Sequence, residues 1–289
     1  MSTVLAVDIG GTKVAAGIVD AAGDLRARAS RPTPTTADGD AVLAAVLEAV
    51  DEVRTGSEQA CGVGCGGPMA PHGEHVSPLN IPAWRAFPLR ARLAQATGLP
   101  VHVDNDAKAL ALGEGWVGAA RGRHDYLAMV VSTGVGGGIV LDGRLLDGAG
   151  GNAGHIGHVI VEPGGRSCGC GAQGCLEAEA SGSAIAARTG RPAAEAGQAE
   201  RERTGRLVGR AVGSVANLLD LPLAVVAGSV ALGYGDAFFG PAQDELDRTA
   251  RLEFSAGAQI LPAGLGATGP LIGAAAVAWR ALRGGPAGS

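Results

Sequence analysis

VLAVDIGGTKVAAGIVDAAGDLRARA, residues 4–29, reads as an apolar strand, a tight Gly-Gly-Thr turn, a second strand, a turn at Ala22-Gly23-Asp24 and a third strand. YLAMVVSTGVGGGIVLDGRLLDGAG, residues 126–150, repeats that order: strand, glycine-rich turn, strand, hairpin turn at Asp142-Gly143, strand. Asp-Gly between apolar runs is a strong hairpin signal. The same three-strand unit thus occurs twice, about 120 residues apart, and self-similarity of this kind outranks local signals in fixing a fold. It implies two similar α/β lobes, each presenting a glycine turn to a shared cleft.

The stretches between the repeats fill in the rest. Asp40 caps a helix whose apolar positions Val42, Leu43, Val46, Leu47 and Val50 have helical spacing. Residues 61–69 form a short strand entering a glycine-rich loop. Residues 87–98 are helical and stop at Gly98. VHVDNDA (101–107) is a buried strand ending in polar residues, and a helix begins there. Residues 151–180 form a Gly/Cys/His insertion with little regular structure, ASGSAIAARTGR (180–191) begins a helical region, and 193–204 are polar. LVGRAVGSVANLLDL is a helix, LAVVAGSVAL a strand leading into a loop, 268–282 the final helix, and GGPAGS a disordered tail.

Composition removes several classes of function. Of 289 residues, 46% are hydrophobic and 18% charged, which suits a globular chain and not a disordered one. The net charge of −5 gives no electrostatic footprint for nucleic acid or an anionic membrane. The 3% aromatic content leaves few stacking platforms for single strands. The most apolar region, 218–232, is broken by Asp220 and Pro222, and MSTVLAVDIGG lacks a basic n-region and a cleavage site. A soluble cytoplasmic protein is expected. Lys13 and Lys108 are its only lysines, which with the Ala and Gly excess reads as a GC-rich coding bias.

The glycine turns fit neither common phosphate motif. Walker A needs G-x-x-x-x-G-K-[ST], but Gly11-Thr12-Lys13 is followed by Val14. The dinucleotide fingerprint needs G-x-G-x-x-G opening a helix, whereas residues 134–139 lack the third glycine and enter a hairpin. What remains is a strand carrying Asp8 into Gly10-Gly11-Thr12, echoed by Ser132-Thr133-Gly134-Val135-Gly136. Glycine lets the backbone approach a phosphate, and turn amides point at its oxygens. The hydroxyls of Thr12 and Thr133 can add donors, and Asp8 can hold Mg²⁺ through water. Taken singly, each turn is also an ordinary hairpin; two copies favour phosphate binding.

Three of the five cysteines fall within eight residues. His158, Cys168, Cys170 and Cys175 give H-x9-C-x-C-x4-C. Cys3His is an ordinary tetrahedral zinc set, and a cytosolic cysteine cluster is more often metal-binding than disulfide-forming. No protein nucleophile or base is left over in the set, so the zinc is read as structural. Cys61 and Cys65 read as small buried residues, and Trp84 as a packing residue.

These stretches resemble the ROK family of sugar kinases and repressors, in the actin/hexokinase/Hsp70 superfamily. The similarity lies in LAVDIGGTKVAAGIVD, in VDNDAKALALGEGWVGAARG (103–122), in VSTGVGGGIVLDGRLLDGAGGNAGHIGH (131–158) and in GGRSCGCGAQGCLEAEASG (164–182). The resemblance implies an α/β, two-lobed actin-like/ribonuclease H-like ATPase fold with duplicated βββαβαβα lobes and a zinc-binding insertion. It implies a small lobe over 1–112, a large lobe over 113–289 with its zinc loop at 155–177, and a final helix, 270–282, packing back on the small lobe.

It also implies phosphorylation of the 6-hydroxyl of a hexose-type sugar by ATP and Mg²⁺. Asp106 is then the base that accepts the hydroxyl proton; as plain structure it caps the following helix, and both roles can coexist. Asp8, Gly10, Gly11, Thr12, Lys13, Thr133, Gly134 and Gly136 would face phosphates, and Gly228 and Ser229 the ribose. Gly67, Asn80, Asn105, His155, His158 and Glu177 would contact the sugar. Zn²⁺ on His158, Cys168, Cys170 and Cys175 would fix the loop presenting His155, His158 and Glu177.

One departure stands out. Most sugar kinases of this family carry Glu where this chain has His155. Neutral imidazole offers one donor and one acceptor without fixed charge, so recognition near the anomeric end should differ. AGHIGH resembles the family's N-acetylmannosamine kinases, which makes N-acetylmannosamine the first substrate; glucose, another amino sugar or a cyclitol are the alternatives. A homodimer or homotetramer is implied too. The non-enzyme alternatives are a silent sugar-binding protein, against which Asp8, Thr12, Asn105 and Asp106 stand, and a sugar-sensing repressor. With the first strand read as starting at Val4, no DNA-binding domain is expected ahead of it.

Overall fold

A computed structural model describes residues 2–284; the tail expected to be disordered lies, from Gly285 on, outside the described residues. The chain forms two compact units. The first takes the residues up to Arg121, the excursion Asp147–Ala153 and the chain from Leu265 on; the second takes Gly122–Leu146 and Gly154–Gly264.

The first unit runs β1 (Thr3–Ile9), β2 (Lys13–Asp20), β3 (Leu25–Pro32), α1 (Gly39–Val53), β4 (Glu58–Cys65), α2 (Leu89–Thr97), β5 (Val101–Asn105) and α3 (Asp106–Val117). The second runs β6 (Tyr126–Val131), β7 (Val135–Leu141), β8 (Arg144–Leu145), α4 (Leu176–Ala180), α5 (Gly182–Thr189), α6 (Gln198–Leu219), β9 (Leu223–Ala227), α7 (Ser229–Tyr234), α8 (Asp236–Thr249) and β10 (Gln259–Pro262). α9 (Gly269–Leu282) returns to the first unit.

The two sheets have one topology. The first is ordered β3-β2-β1-β4-β5 and the second β10-β9-β6-β7-β8. Numbered within its own unit, each places its first strand in the centre, hairpin-paired strands to one side and parallel strands to the other. This is the duplication that the repeated glycine hairpin predicts.

β1 shows why its sequence is almost continuously apolar. Leu5, Val7 and Ile9 join the core beneath α1, while Val4 and Ala6 face Leu271, Ala274 and Ala278 of α9. Both faces are covered, so neither tolerates polar residues. At Gly62 of β4 the helix comes so close that a Cβ would lie 1.9 Å from the Ala274 carbonyl oxygen.

Several local readings need correction. Asp38, not Asp40, caps α1: its carboxylate accepts the Asp40 N–H at 2.9 Å, and Asp40 lies in the first turn. Asn105, not Asp106, caps α3, its Oδ1 accepting from the amides of Ala107 (3.0 Å) and Lys108 (3.4 Å). The segment after β9, read as a loop, is helix α7, followed by α8 and β10, which the sequence did not announce. α6 begins inside the polar stretch at Gln198, where exposure of the first turn hides the apolar period.

Candidate active site and metal centre

Parallel strands deliver their carboxyl ends together, and such edges are where open α/β sheets bind ligands. In the first unit Asp8 of β1 is level with Gly64 of β4, and Gly64 with Asp104 of β5. Glycine at 64 keeps the ground between them clear: a Cβ there would lie 3.6 Å from Asp106 Cα and 3.8 Å from Asp8 Oδ1. Burial pushes the Asp8 carboxyl up to about 7; the neighbouring Asp106 charge adds to this, and Lys13 opposes it. Asp106 itself is exposed at the first position of α3.

The Gly-Gly-Thr turn is pinned from outside. Gly10 N donates to the Lys13 carbonyl at 3.0 Å, Thr33 Oγ1 to the Gly10 carbonyl at 2.7 Å, and Thr33 N to the Thr12 carbonyl at 3.1 Å. Gly11 packs on Asn80, where a Cβ would come within 2.8 Å of the Asn80 Cβ and carbonyl oxygen. Gly66 stands beside the Asn80 amide and Gly67 beside the Asn105 amide, with Cβ positions 3.4 Å from Asn80 Oδ1 and 3.5 Å from Asn105 Nδ2. Gly11, Asn80, Gly67 and Asn105 are therefore gathered along one edge. Thr12 and Lys13 are exposed there. Trp84 is buried as expected, donating to the Gly39 carbonyl at 2.9 Å; Cys61 and Cys65 are buried as well.

In the second unit the β6–β7 turn is closed by Ser132 N donating to the Gly134 carbonyl at 2.9 Å. The start of α5 buttresses it: Gly182 N donates to the Ser132 carbonyl (2.7 Å) and Ser183 N to the Thr133 carbonyl (3.2 Å). Glu177 Oε2 accepts the Val135 N–H at 3.0 Å and lies 2.9 Å from where a Gly134 Cβ would be. Glu177 is thus seated on the glycine turn, a contact the sequence did not signal. Ser229 Oγ lies 3.0 Å from Ser132 Oγ, and Gly228 has φ +102 with no room for a Cβ against Val131. Thr133, Gly134, Gly228 and Ser229 are brought together, whereas Gly136 lies within β7 opposite Val130. His155 and His158 are both exposed, with ring centroids 6.0 Å apart.

The ligand atoms of His158, Cys168, Cys170 and Cys175 all lie within 4.8 Å of one another. Cys170 and Cys175 Sγ are 3.7 Å apart, as are Cys168 Sγ and His158 Nδ1. Four ligands at the corners of a tetrahedron with bonds of about 2.3 Å would be separated by about 3.8 Å. The donor set and its spacing fit zinc. Burial, with the neighbouring thiols adding to it, pushes Cys175 up to about 12, so a metal would have to displace its proton.

The ROK family model matches residues 4–281. The chain belongs to the ROK family. A glucokinase of Thermotoga maritima is 42% identical over 185 residues, which is 63% of this chain and 58% of the relative. An N-acetylmannosamine kinase of Escherichia fergusonii is 38% identical over 248 residues, 81% of this chain and 85% of the relative. The chain thus spans little more than half of the glucokinase and most of the N-acetylmannosamine kinase. Among solved structures, a ROK family glucokinase from Streptomyces griseus in complex with glucose and AMPPNP superposes with TM-score 0.81 at 34% identity, covering 95% of this chain and 98% of that one. Among the described residues no helix of this ROK protein is long and apolar enough to cross a membrane.

Proposed function

We propose that this ROK protein is an ATP-dependent sugar kinase acting on the 6-hydroxyl of a hexose or N-acetylhexosamine, with N-acetylmannosamine its first substrate. The observation that carries the reading is Asp106. It is an exposed carboxylate at the carboxyl end of a parallel strand, with the amide side chain of Asn105 beside it. Phosphoryl transfer asks the protein for positioning, charge stabilisation and a carboxylate to take the hydroxyl proton. Asp106 takes that proton, Asn105, Asn80 and Gly67 orient the sugar, and the backbone of Gly10 and Gly11 faces the transferred phosphate. Thr133, Gly134, Gly228 and Ser229 serve the nucleotide. The carboxylate of Asp8 suits a divalent cation, which it would hold through water; Mg²⁺ bound there would offset phosphate charge. Zinc on His158 and the three cysteines is structural.

The substrate rests on His155. N-acetylmannosamine kinases are among the relatives, and an imidazole changes which hydroxyls can be paired. The second reading is a glucokinase, favoured by the more identical but shorter match. ADP release measured over N-acetylmannosamine, glucose, mannose, glucosamine and cyclitols decides between them by kcat/KM. Asp106→Asn should lower kcat by roughly 10²–10⁴; equal activity would remove Asp106 from the mechanism. His155→Glu should shift preference toward glucose, and an unchanged ranking would show that this side chain does not set specificity.

A further inference from the structure

The excursion Asp147–Ala153 is the one internal segment between β8 and Gly154 that belongs to the first unit. Its sequence is Asp-Gly-Ala-Gly-Gly-Asn-Ala, and none of its residues is buried. It has no large apolar side chain to anchor it, and Gly148 and Gly151 have φ +74 and +78. Its internal bonds only shape it: Gly151 N donates to the Gly148 carbonyl at 3.2 Å and Ala153 N to the Asp147 carbonyl at 2.9 Å. Beneath it lies a cavity of about 430 Å³, lined also by Met69–Gly73, by β5 from Val101 to Asp104 and by Val277, Arg280 and Ala281. Gly148, Ala149 and Gly151 line that cavity from the segment's side.

One side chain supplies what packing does not. Lys108 is only 3% exposed. Its Nζ donates to Asp147 Oδ1 at 2.6 Å and to the Gly151 carbonyl at 3.1 Å, and lies 3.1 Å from Asp104 Oδ1. An ammonium has three protons, and these three oxygens use them all. A buried charge persists only when so compensated, and removing one partner leaves the others stranded. Arg280 approaches the other oxygen of Asp147 from α9, at 3.6 Å. Lys108 is two residues beyond Asp106, on the same first turn of α3, and the segment it grips leads two residues later into His155.

We propose that Lys108 is a positioning residue for sugar recognition: it ties the Asp147–Ala153 excursion to the helix that opens with Asp106, and so fixes the chain where it runs into His155. The role rests on the kinase reading above. The ammonium is compact and saturates three oxygens in three directions, which a planar guanidinium cannot copy. The buried lysine in this arginine-rich chain is therefore specified by geometry.

Lys108→Met in the full chain tests this, with Asp147→Ala as a second variant that removes the shortest bond but keeps the ammonium. Both should speed amide hydrogen exchange in residues 147–153 while exchange in β1 and β4 stays unchanged. Both should raise the sugar KM, by roughly tenfold for Lys108→Met, with the ATP KM within about twofold of wild type. Unchanged exchange in the segment overturns the tie. Faster exchange with an unchanged sugar KM overturns the positioning role, as does an equal loss in both KM values that follows a fall in Tm. Should Lys108→Met fail to fold, Asp147→Ala alone decides by the same readouts. Full activity of Asp106→Asn would defeat the kinase mechanism, while the exchange result would still judge the tie.

Discussion

At the scale of single residues, Asp8 carries the clearest consequence. Its carboxyl titrates near about 7 in the folded protein against an ordinary 3.8. Folding therefore disfavours the ionised form. Below about pH 4 the group is protonated in both states and contributes nothing. Between there and about pH 7 the unfolded chain ionises and the folded one does not, so stability falls as pH rises; above that the penalty is constant. Asp8→Asn removes it. Denaturant melts of the ligand-free protein should show the variant more stable at pH 8, by on the order of 4 kcal/mol, and close to wild type at pH 4. A gain of the same size at both values would mean that ionisation is not its source. On the proposed kinase reading the variant should lose activity, since the group that costs stability is the one that reading assigns to a cation. Asp8 was legible because a lone acid ending an apolar strand beside a glycine turn has few structural uses. Lys108 was not, because nothing in AKALAL tells a buried lysine from an exposed one.

Among elements, close approach of backbones governs how α9 lies on the first sheet. The helix crosses β4 at Gly62, and Ala274 and Ala278 keep the contact close with small side chains. Gly62→Val must push the Ala274 carbonyl aside, and overpacking of this kind typically costs about 1–3 kcal/mol. Gly233 is the contrast: it is exposed in α7, with open space where a Cβ would be. Gly233→Ala should be neutral or raise stability by up to about 1 kcal/mol. Thermal melts of both check the pair, and equal effects would mean that glycine content, not this contact, is being measured. α1 was readable because its apolar positions recur at helical spacing, whereas α9 is an almost unbroken apolar run, buried from Leu271 to Trp279. The cap of α1 was missed by two residues, since Asp38 and Asp40 both suit an N-cap and only geometry chooses. α8 contains Pro241 within the helix, and β10 has four residues with three exposed, so neither carries a clear period.

For the whole molecule, the duplicated hairpin made the architecture legible, because two sheets of one topology follow from one repeated motif. The assignment of residues 147–153 to the first unit was not, since a glycine-rich run carries no record of where it docks. The His/Cys cluster lies between these extremes: spacing announced its four side chains, but not what they support. Cys175 is followed directly by α4, and α4 carries Glu177 onto the Val135 amide of the β6–β7 turn. The backbone continues the same link, with Leu176 N donating to the Val159 carbonyl at 2.9 Å and Val161 N to the Gly174 carbonyl at 2.9 Å. Loss of the metal should therefore reach the glycine turn as well as its own loop. Purified protein should contain about one zinc per chain by elemental analysis. Stripping it with a chelator should lower Tm by several degrees, which for units of this size is about 1–2 kcal/mol, and should raise the ATP KM. Added zinc should restore both, whereas magnesium, which prefers oxygen ligands, should not. Because a thiol held near about 12 must give up its proton on binding, retention of zinc should weaken as pH is lowered. A metal-free preparation with native Tm and native ATP KM would show that the four side chains meet for some other reason.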